Sequence, residues 1–283
     1  MNGISNVTVV IPCYNDGLYI MEALNSILNQ TLKADKIIIV DDGSGQETKD
    51  VLATIIHKNV TIIYQENQGV CKARNNAIQL AETDYILNLD ADDYFEATFI
   101  EKAVEVLNSN HKVAAVGCWV KILKNKVLEK EIKKPSGGSV KDFIVINNGI
   151  ASSLFRKKCW EMVSGYDVEM RNGYEDWEFW IAILKCNYEM VILKEPLYTY
   201  RQKMHSRNTN ALNKYDYDLR KYIFIKHKEL YKEYFEFYSI ELLRKNSIFS
   251  RNQDKVKQTL DYKIGNLVLF PIRLIKRIIK KND

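Results

Sequence analysis

Ile37-Ile-Ile-Val-Asp-Asp-Gly-Ser44 puts an apolar run, two adjacent carboxylates and a turn side by side. An unbroken β-branched run suits a strand buried on both faces, as in a parallel sheet, whereas a half-exposed strand would alternate apolar and polar residues. Working outward, Val7-Thr-Val-Val-Ile11, Thr61-Ile-Ile-Tyr64 and Tyr85-Ile-Leu-Asn-Leu89 repeat the pattern. Between these runs, Leu18, Ala23, Leu24, Ile27 and Leu28 recur at helical spacing, as do Val70, Ala73, Ala77, Ile78 and Ala81. The alternation predicts an α/β fold, a doubly wound, mostly parallel sheet flanked by helices, with ligands gathered beyond the carboxyl ends of its strands.

The segments at those ends read Pro12-Cys-Tyr-Asn-Asp16, Asp41-Asp-Gly-Ser44, Glu66-Asn-Gln-Gly69 and Asp90-Ala-Asp-Asp93. Each alone is ordinary turn chemistry. Together they make an acidic rim on one side of the sheet, which is costly unless a cation sits there. Asp90 and Asp92 are two residues apart, so in extended chain they point the same way. Such a pair, completed by waters and substrate phosphates, suits Mn²⁺ or Mg²⁺. Neither Gly-x-x-x-x-Gly-Lys nor Gly-x-Gly-x-x-Gly occurs, which argues against a P-loop nucleotidase and a dinucleotide dehydrogenase.

At 283 residues, 46% hydrophobic and 27% charged, the chain can bury a full core and is not globally disordered. Five cysteines with no Cys-x-x-Cys pair are poor material for a disulfide framework or a zinc site. No basic, apolar leader follows Met1 and no long apolar window appears, so a cytoplasmic protein is expected. Further along, the pattern predicts a helix over 96–108, a strand over 113–120 with a hairpin turn at Lys124-Asn125, and a loop at Pro135–Ser139. A strand over 152–156, a helix opening at Gly173 and running to about Cys186, and helical structure from Asn213 follow. The expected organisation is a domain over 1–210 (a nucleotide-binding half, 1–95, and an acceptor half, 96–210) and a helical extension over 211–283.

Five motifs occur in order: Val9-Val-Ile-Pro-Cys-Tyr-Asn15, Ile39-Val-Asp-Asp-Gly-Ser44, Asn67-Gln-Gly with Ala73-Arg-Asn75, Leu89-Asp-Ala-Asp-Asp93 and Gly173-Tyr-Glu-Asp176. Over about residues 5–205 the chain resembles the nucleotide-sugar glycosyltransferases of family 2, which have the GT-A fold. The resemblance implies that Pro12, Tyr14 and Asp42 hold the nucleotide base, with Asp41 as the alternative contact, and that Arg74 lies near the base or diphosphate. It makes Asp90 the ribose ligand, Asp92 the metal ligand within the Asp-x-Asp motif, and Asp176 the catalytic base. In the looser segment Tyr198–Ser206, His205 would be a further metal ligand or a phosphate donor and Arg201 a charge partner. The implied activity is that of a metal-dependent inverting glycosyltransferase. It would move a sugar from a nucleoside diphosphate, most simply a UDP-sugar, to a glycan or lipid-linked acceptor in bacterial surface polysaccharide synthesis.

Physical chemistry supports the same base: a carboxylate in the first turn of a helix is favoured as an anion by the helix dipole, although Asp176 could equally be a helix N-cap. Asp93 is a candidate cap for a helix starting near Tyr94. Glu175 and Trp177 flank the base and are candidate acceptor contacts; core packing is the simpler expectation for the Trp177 and Trp180 indoles, and the sharper one has an indole face lining the acceptor site. At the end of the chain, Ile272, Leu274, Ile275, Ile278 and Ile279 fall at helical spacing after Pro271, opposite Arg273, Lys276, Arg277, Lys280 and Lys281. This basic amphipathic helix, with Pro271 at its first turn, is a candidate for peripheral association with an anionic membrane through 264–281, at the inner face of the cell membrane. The alternatives are an inactive sugar-nucleotide-binding protein, or a nucleic-acid-binding protein using the basic C-terminal region. Glu229, Glu233, Glu236 and Glu241 interrupt any continuous phosphate track there, so no nucleic-acid partner is expected.

Overall fold

A computed structural model describes residues 5–203 and 211–279. They fall into two compact units, 1–231 and 232–283.

The first unit is built on one sheet. Strands β1 (Val7–Cys13), β2 (Lys36–Asp42), β3 (Val60–Gln65) and β4 (Tyr85–Asn88) lie parallel in the order β3-β2-β1-β4. Val7, Val9, Val10 and Ile11, and likewise Ile37 to Val40, are fully buried, so side chains on both faces of these strands are covered. Helices α1 (Ile20–Leu28), α2 (Gln46–Ala53), α3 (Val70–Gln79) and α4 (Phe99–Ser109) alternate with the strands. Leu18 is exposed and precedes α1, outside the apolar stripe expected for it.

The sheet continues as β4-β8-β6-β9-β5, from β5 (Tyr94–Phe95), β6 (Val113–Lys124), β8 (Leu154–Arg156) and β9 (Glu189–Gln202), with β7 (Val127–Lys133) paired on β6. Here the pairing is mixed: β8 runs antiparallel to β4 and β6, whereas β9 runs parallel to β6. The hairpin turn between β6 and β7 places Asn125 and Lys126 in the left-handed region. Sequence patterning gives no signal for β9, because Lys194-Glu195-Pro196 interrupts its apolar run. In the sheet, Pro196 lies opposite Trp119 at a register shift, where a missing N–H is tolerated. Residues 94–95 are strand and the following helix begins at Phe99 after Thr98, so Asp93 is not a helix cap.

Short helices α5 (Val140–Phe143) and α6 (Lys157–Met162) precede α7 (Glu175–Leu184), and α8 (Asp216–Lys226) follows. The buried Glu178 carboxylate joins α7 to the end of α8: His227 Nε2, also buried, lies 2.9 Å from it and the exposed Lys226 Nζ 2.8 Å.

The second unit contains two long helices, α9 (Phe235–Gln258) and α10 (Leu260–Ile279), meeting at Thr259. No residue of α9 is buried, and Leu260, Ile264, Leu267, Val268, Leu269 and Phe270 of α10 are exposed. Pro271 lies inside α10, which starts eleven residues earlier than a helix opening at Pro271 would. No described helix is long and apolar enough to cross a membrane.

Candidate functional site

The carboxyl ends of the parallel strands carry the polar motifs, and two kinds of acid are found there. Asp41 and Asp42 close β2. Asp42 Oδ1 accepts from Gln65 Nε2 (2.7 Å) and from the Gln68 backbone N–H (2.8 Å), and its Oδ2 accepts from the Gly69 N–H (2.9 Å). The carboxylate therefore pins the loop between β3 and α3. Gly43 is required beside it: its φ is +77°, and a Cβ there would meet the Asn67 backbone nitrogen at 2.7 Å. Asp41 is 0% exposed; its Oδ1 accepts from the Ser44 N–H at 3.0 Å and its Oδ2 has no partner. With no surface of its own, Asp41 is not open to a ligand, which corrects its expected role as the alternative base contact. Pro12 is half-buried at the end of β1, and Tyr14 is exposed beside it.

The second group of acids faces open space. A cavity of about 720 Å³ is lined by Asp90, Glu175, Asp176, Asn147, Tyr198 and Tyr200, among others. Asp90 follows β4, and Glu175 and Asp176 form the first turn of α7. The entry to α7 is tightly specified. Gly173 has φ +121°, and a Cβ there would lie 2.6 Å from the Ala211 Cβ. Tyr174 is left-handed at φ 60°, an uncommon conformation for a residue with a side chain, and its hydroxyl donates to Asp216 at 2.5 Å.

Arg74 of α3 bridges the two sides. Its Nη2 lies 2.6 Å from Asp90 Oδ1 and its Nη1 3.2 Å from Glu175 Oε1. The guanidinium is 0% exposed, so Arg74 acts as an internal counter-charge and offers no surface for direct contact with a base or diphosphate. Removing one partner from a buried ion pair strands the other, which gives such a bridge its structural weight.

Asp176 is half-buried, and Asn147 Nδ2 donates to its Oδ2 at 2.8 Å. Burial, and then the adjacent Glu175 charge, push its carboxyl up to about 6, against the Asn147 hydrogen bond and the Arg74 charge. The helix dipole therefore does not dominate, contrary to expectation; low solvation and a like charge do. Nor is Asp176 the N-cap of α7, a position held by Tyr174. Trp177 is 4% exposed and its Nε1 donates to the Phe143 carbonyl at 2.7 Å. Its indole packs within the wall, as expected of a core residue, and is not among the residues that line the cavity, as an acceptor contact would be. Glu175 is buried against Arg74, although it reaches the cavity wall.

Asp92 and Asp93 meet the end of β9. Asp93 is buried and accepts from the Tyr198 hydroxyl and, at 2.7 Å, from the Arg201 N–H; burial and the charges of Asp92 and Asp90 push its carboxyl up strongly. Arg201 Nε donates to the Asp92 carbonyl at 2.8 Å, and the guanidinium pairs with Glu22 of α1. Arg201 is thus a charge partner of the protein's own acids. Lys203 pairs with Asp16, and its Nζ lies 2.8 Å from Asp92 Oδ2. Burial would lower this ammonium, but the hydrogen bonds it donates to Asp16 and Asp92 outweigh that and raise it. His205 lies outside the described residues.

Neither Lys203 nor Asn147 is legible in the sequence as a site residue. Both are single polar side chains in loop or strand-end sequence, brought to their carboxylates by tertiary folding alone. The donor chemistry here suits a hard divalent cation. Asp90 and Asp92, with side chains 30% and 20% exposed, each keep one oxygen beyond the one paired with Arg74 or Lys203. Among the described residues no three metal-binding side chains converge, so such a cation would need diphosphate oxygens or water to complete its shell.

With this geometry in place, the sequence model described as "Glycosyl transferase family 2" matches residues 8–162, more than half of the chain. The chain belongs to glycosyl transferase family 2. The chondroitin synthase of Escherichia coli is 26% identical over 214 residues, covering 72% of this chain and 30% of that protein. TuaG of Bacillus subtilis, a glycosyltransferase provisionally assigned to teichuronic acid biosynthesis, is 27% identical over 208 residues, 72% of this chain and 82% of TuaG. The chain spans less than half the length of several curated relatives it matches, as with chondroitin synthase. Among solved structures, S. aureus TarS 1–349 in complex with UDP-GlcNAc superposes with a TM-score of 0.61 at 20% identity, covering 72% of this chain and 61% of TarS. The fold is GT-A. The family match ends before α7, so the family 2 motifs at Pro12 to Asp93 lie inside it and Asp176 and Arg201 lie beyond it.

Proposed function

We propose that the chain is an inverting glycosyltransferase that takes a sugar from a nucleoside diphosphate, a UDP-sugar, and passes it to a hydroxyl of a glycan or lipid-linked acceptor in bacterial surface polysaccharide synthesis. The observation that carries this reading is the position of Asp176: a half-buried carboxylate at the start of α7, opening on the cavity that also holds Asp90, with its proton affinity raised to about 6. A general base works best when its pKa lies near the working pH. Support for the donor comes from TarS, crystallised with UDP and with UDP-GlcNAc. Support for the product class comes from chondroitin synthase and TuaG.

In this mechanism Asn147 holds one Asp176 oxygen and leaves the other to accept the acceptor hydroxyl's proton. As that proton moves to Asp176, the oxygen bonds to the anomeric carbon from the face opposite the diphosphate. The bond from that carbon to the phosphate oxygen breaks, and its electron pair leaves with the nucleoside diphosphate. Asp42, by fixing the loop at Gln68 and Gly69, shapes the base site beside Pro12 and Tyr14. Arg74 keeps Asp90 and Glu175 from adding two uncompensated charges beside the base. A Mn²⁺ or Mg²⁺ ion held by Asp92 and Asp90 would offset charge on the departing diphosphate. Placement at a cytoplasmic membrane face is part of the same proposal, supported by the exposed apolar residues Leu267–Phe270 ahead of the basic C-terminal residues.

A thermal-shift screen of nucleotide sugars with and without Mn²⁺ tests this. UDP-sugars should raise the melting temperature, more so with Mn²⁺, and a UDP-sugar that does so should be turned over. No shift with any nucleotide sugar would contradict the proposal.

A further inference from the structure

The end of β9 is tied across the mouth of the acidic rim to α1 and to the loop before it. Arg201 is anchored three ways: to Glu22, to the Asp92 carbonyl, and over the Tyr19 ring at 4.5 Å. Lys203, two residues on, shares that ring at 4.9 Å and places its ammonium between Asp16 and Asp92. Asp92 is therefore gripped from both sides, its backbone by Arg201 and its carboxylate by Lys203.

The two grips differ in kind. Arg201 is a planar fork committed to several partners. Lys203 is a point charge on a flexible stem, half-exposed, with the Asp16 and Asp92 carboxylates both within reach. A divalent cation on the free Asp92 oxygen would sit beside the ammonium held 2.8 Å from Oδ2, and two cations on one carboxylate repel each other. If the ammonium leaves Asp92, however, Asp16 still neutralises it, so the exchange strands no charge.

We propose that Lys203 is a tethered counter-ion that neutralises Asp92 in the donor-free protein and withdraws onto Asp16 when a divalent cation binds. The proposal rests on Asp92 being the cation ligand, as in the reading above. Its consequence is ordered loading. The free protein holds the cation weakly, and the donor's diphosphate supplies the extra ligands that displace Lys203.

The test is a Mn²⁺ titration of the full-length, nucleotide-free chain, following free Mn²⁺ by electron paramagnetic resonance. Lys203→Gln should bind Mn²⁺ about tenfold more tightly than the unaltered chain, within the usual range of coupling between competing ligands. Lys203→Arg, which keeps a charge on Asp92, should bind as weakly as the unaltered chain. Lys133→Gln is the control for general charge: this lysine lies on the cavity wall over the Tyr200 ring, and its loss should change Mn²⁺ affinity less than about twofold. Asp92→Asn combined with Lys203→Gln should abolish the gain.

Equal affinity in Lys203→Gln and the unaltered chain overturns the proposal, as does equal tightening by Lys133→Gln. Should Lys203→Gln fail to fold, Asp16→Asn reads the same exchange from the other side: with no second resting place for the ammonium, Mn²⁺ binding must weaken, and unchanged affinity overturns the proposal. UDP affinity measured in parallel with Mn²⁺ separates the two ideas. UDP binding without tightening by Lys203→Gln removes the counter-ion and leaves the donor site. Tightening without any UDP binding removes the donor reading and leaves the counter-ion.

Discussion

The acids at the end of β2 are satisfied in a different way from those that follow β4 and those that open α7. Asp42 is held by two backbone N–H groups and a glutamine amide, and Asp41 is sealed beneath it. Asp90, Asp92 and Asp176 are held by side chains: Arg74, Lys203 and Asn147. A carboxylate bonded to backbone amides fixes a loop and cannot release it without unmaking local structure. One paired with a side chain can exchange its partner. The β2 acids thus fix local structure, and Asp92 and Asp176, held by single polar side chains, are the ones whose partners can exchange.

The largest effect that could break this contrast lies at Arg74. Arg74→Met should destabilise the chain by about 3–5 kcal/mol in urea unfolding, because it leaves the buried Glu175 charge and the partly exposed Asp90 without their partner. A loss under about 1 kcal/mol would mean that Arg74 is not the bridge between the two sides. Asp42→Asn comes next. It turns an amide NH₂ toward a backbone N–H donor and should cost about 2 kcal/mol, with weaker donor binding following from the loosened loop. Unchanged stability would place Asp42 with the exchangeable acids. The smallest effect expected is that of Trp177→Phe, which removes the hydrogen bond to the Phe143 carbonyl and should cost about 1 kcal/mol while changing turnover less than about threefold. A large fall in turnover at unchanged stability would return Trp177 to the acceptor site.

The same contrast explains what was legible in the sequence. Strands β1, β2 and β4 are continuous apolar runs because both faces are buried, and β3 keeps the pattern although at the sheet edge it is only partly covered, so all four and the polar tips beyond them can be read directly. Strand β9 defies that reading, since Pro196 sits at a register shift that only its pairing with β6 accommodates. The candidate acids were visible as motifs, but their partners were not. Arg74 carries no sign of facing inward: its burial follows from α3 packing against the sheet and from two carboxylates, Asp90 sixteen residues on and Glu175 a hundred and one residues on. Lys203 lies more than a hundred residues from Asp92 and at still greater separation from Asp16, and nothing in its local sequence marks it. Sequence periodicity reports which face of an element is buried. It does not report which charge will find which.

Asp176 tests the account most directly. Transfer from a UDP-sugar by the unaltered chain should fall tenfold per pH unit below about pH 6, because only the ionised carboxylate can take the acceptor's proton and its pKa is raised to about 6. Asp176→Asn measured alongside should lose about 10²–10⁴-fold in turnover, keep its affinity for UDP, and show no inflection near pH 6. An asparagine variant that turns over near the normal rate, with the same acid limb, would show that Asp176 is not the base.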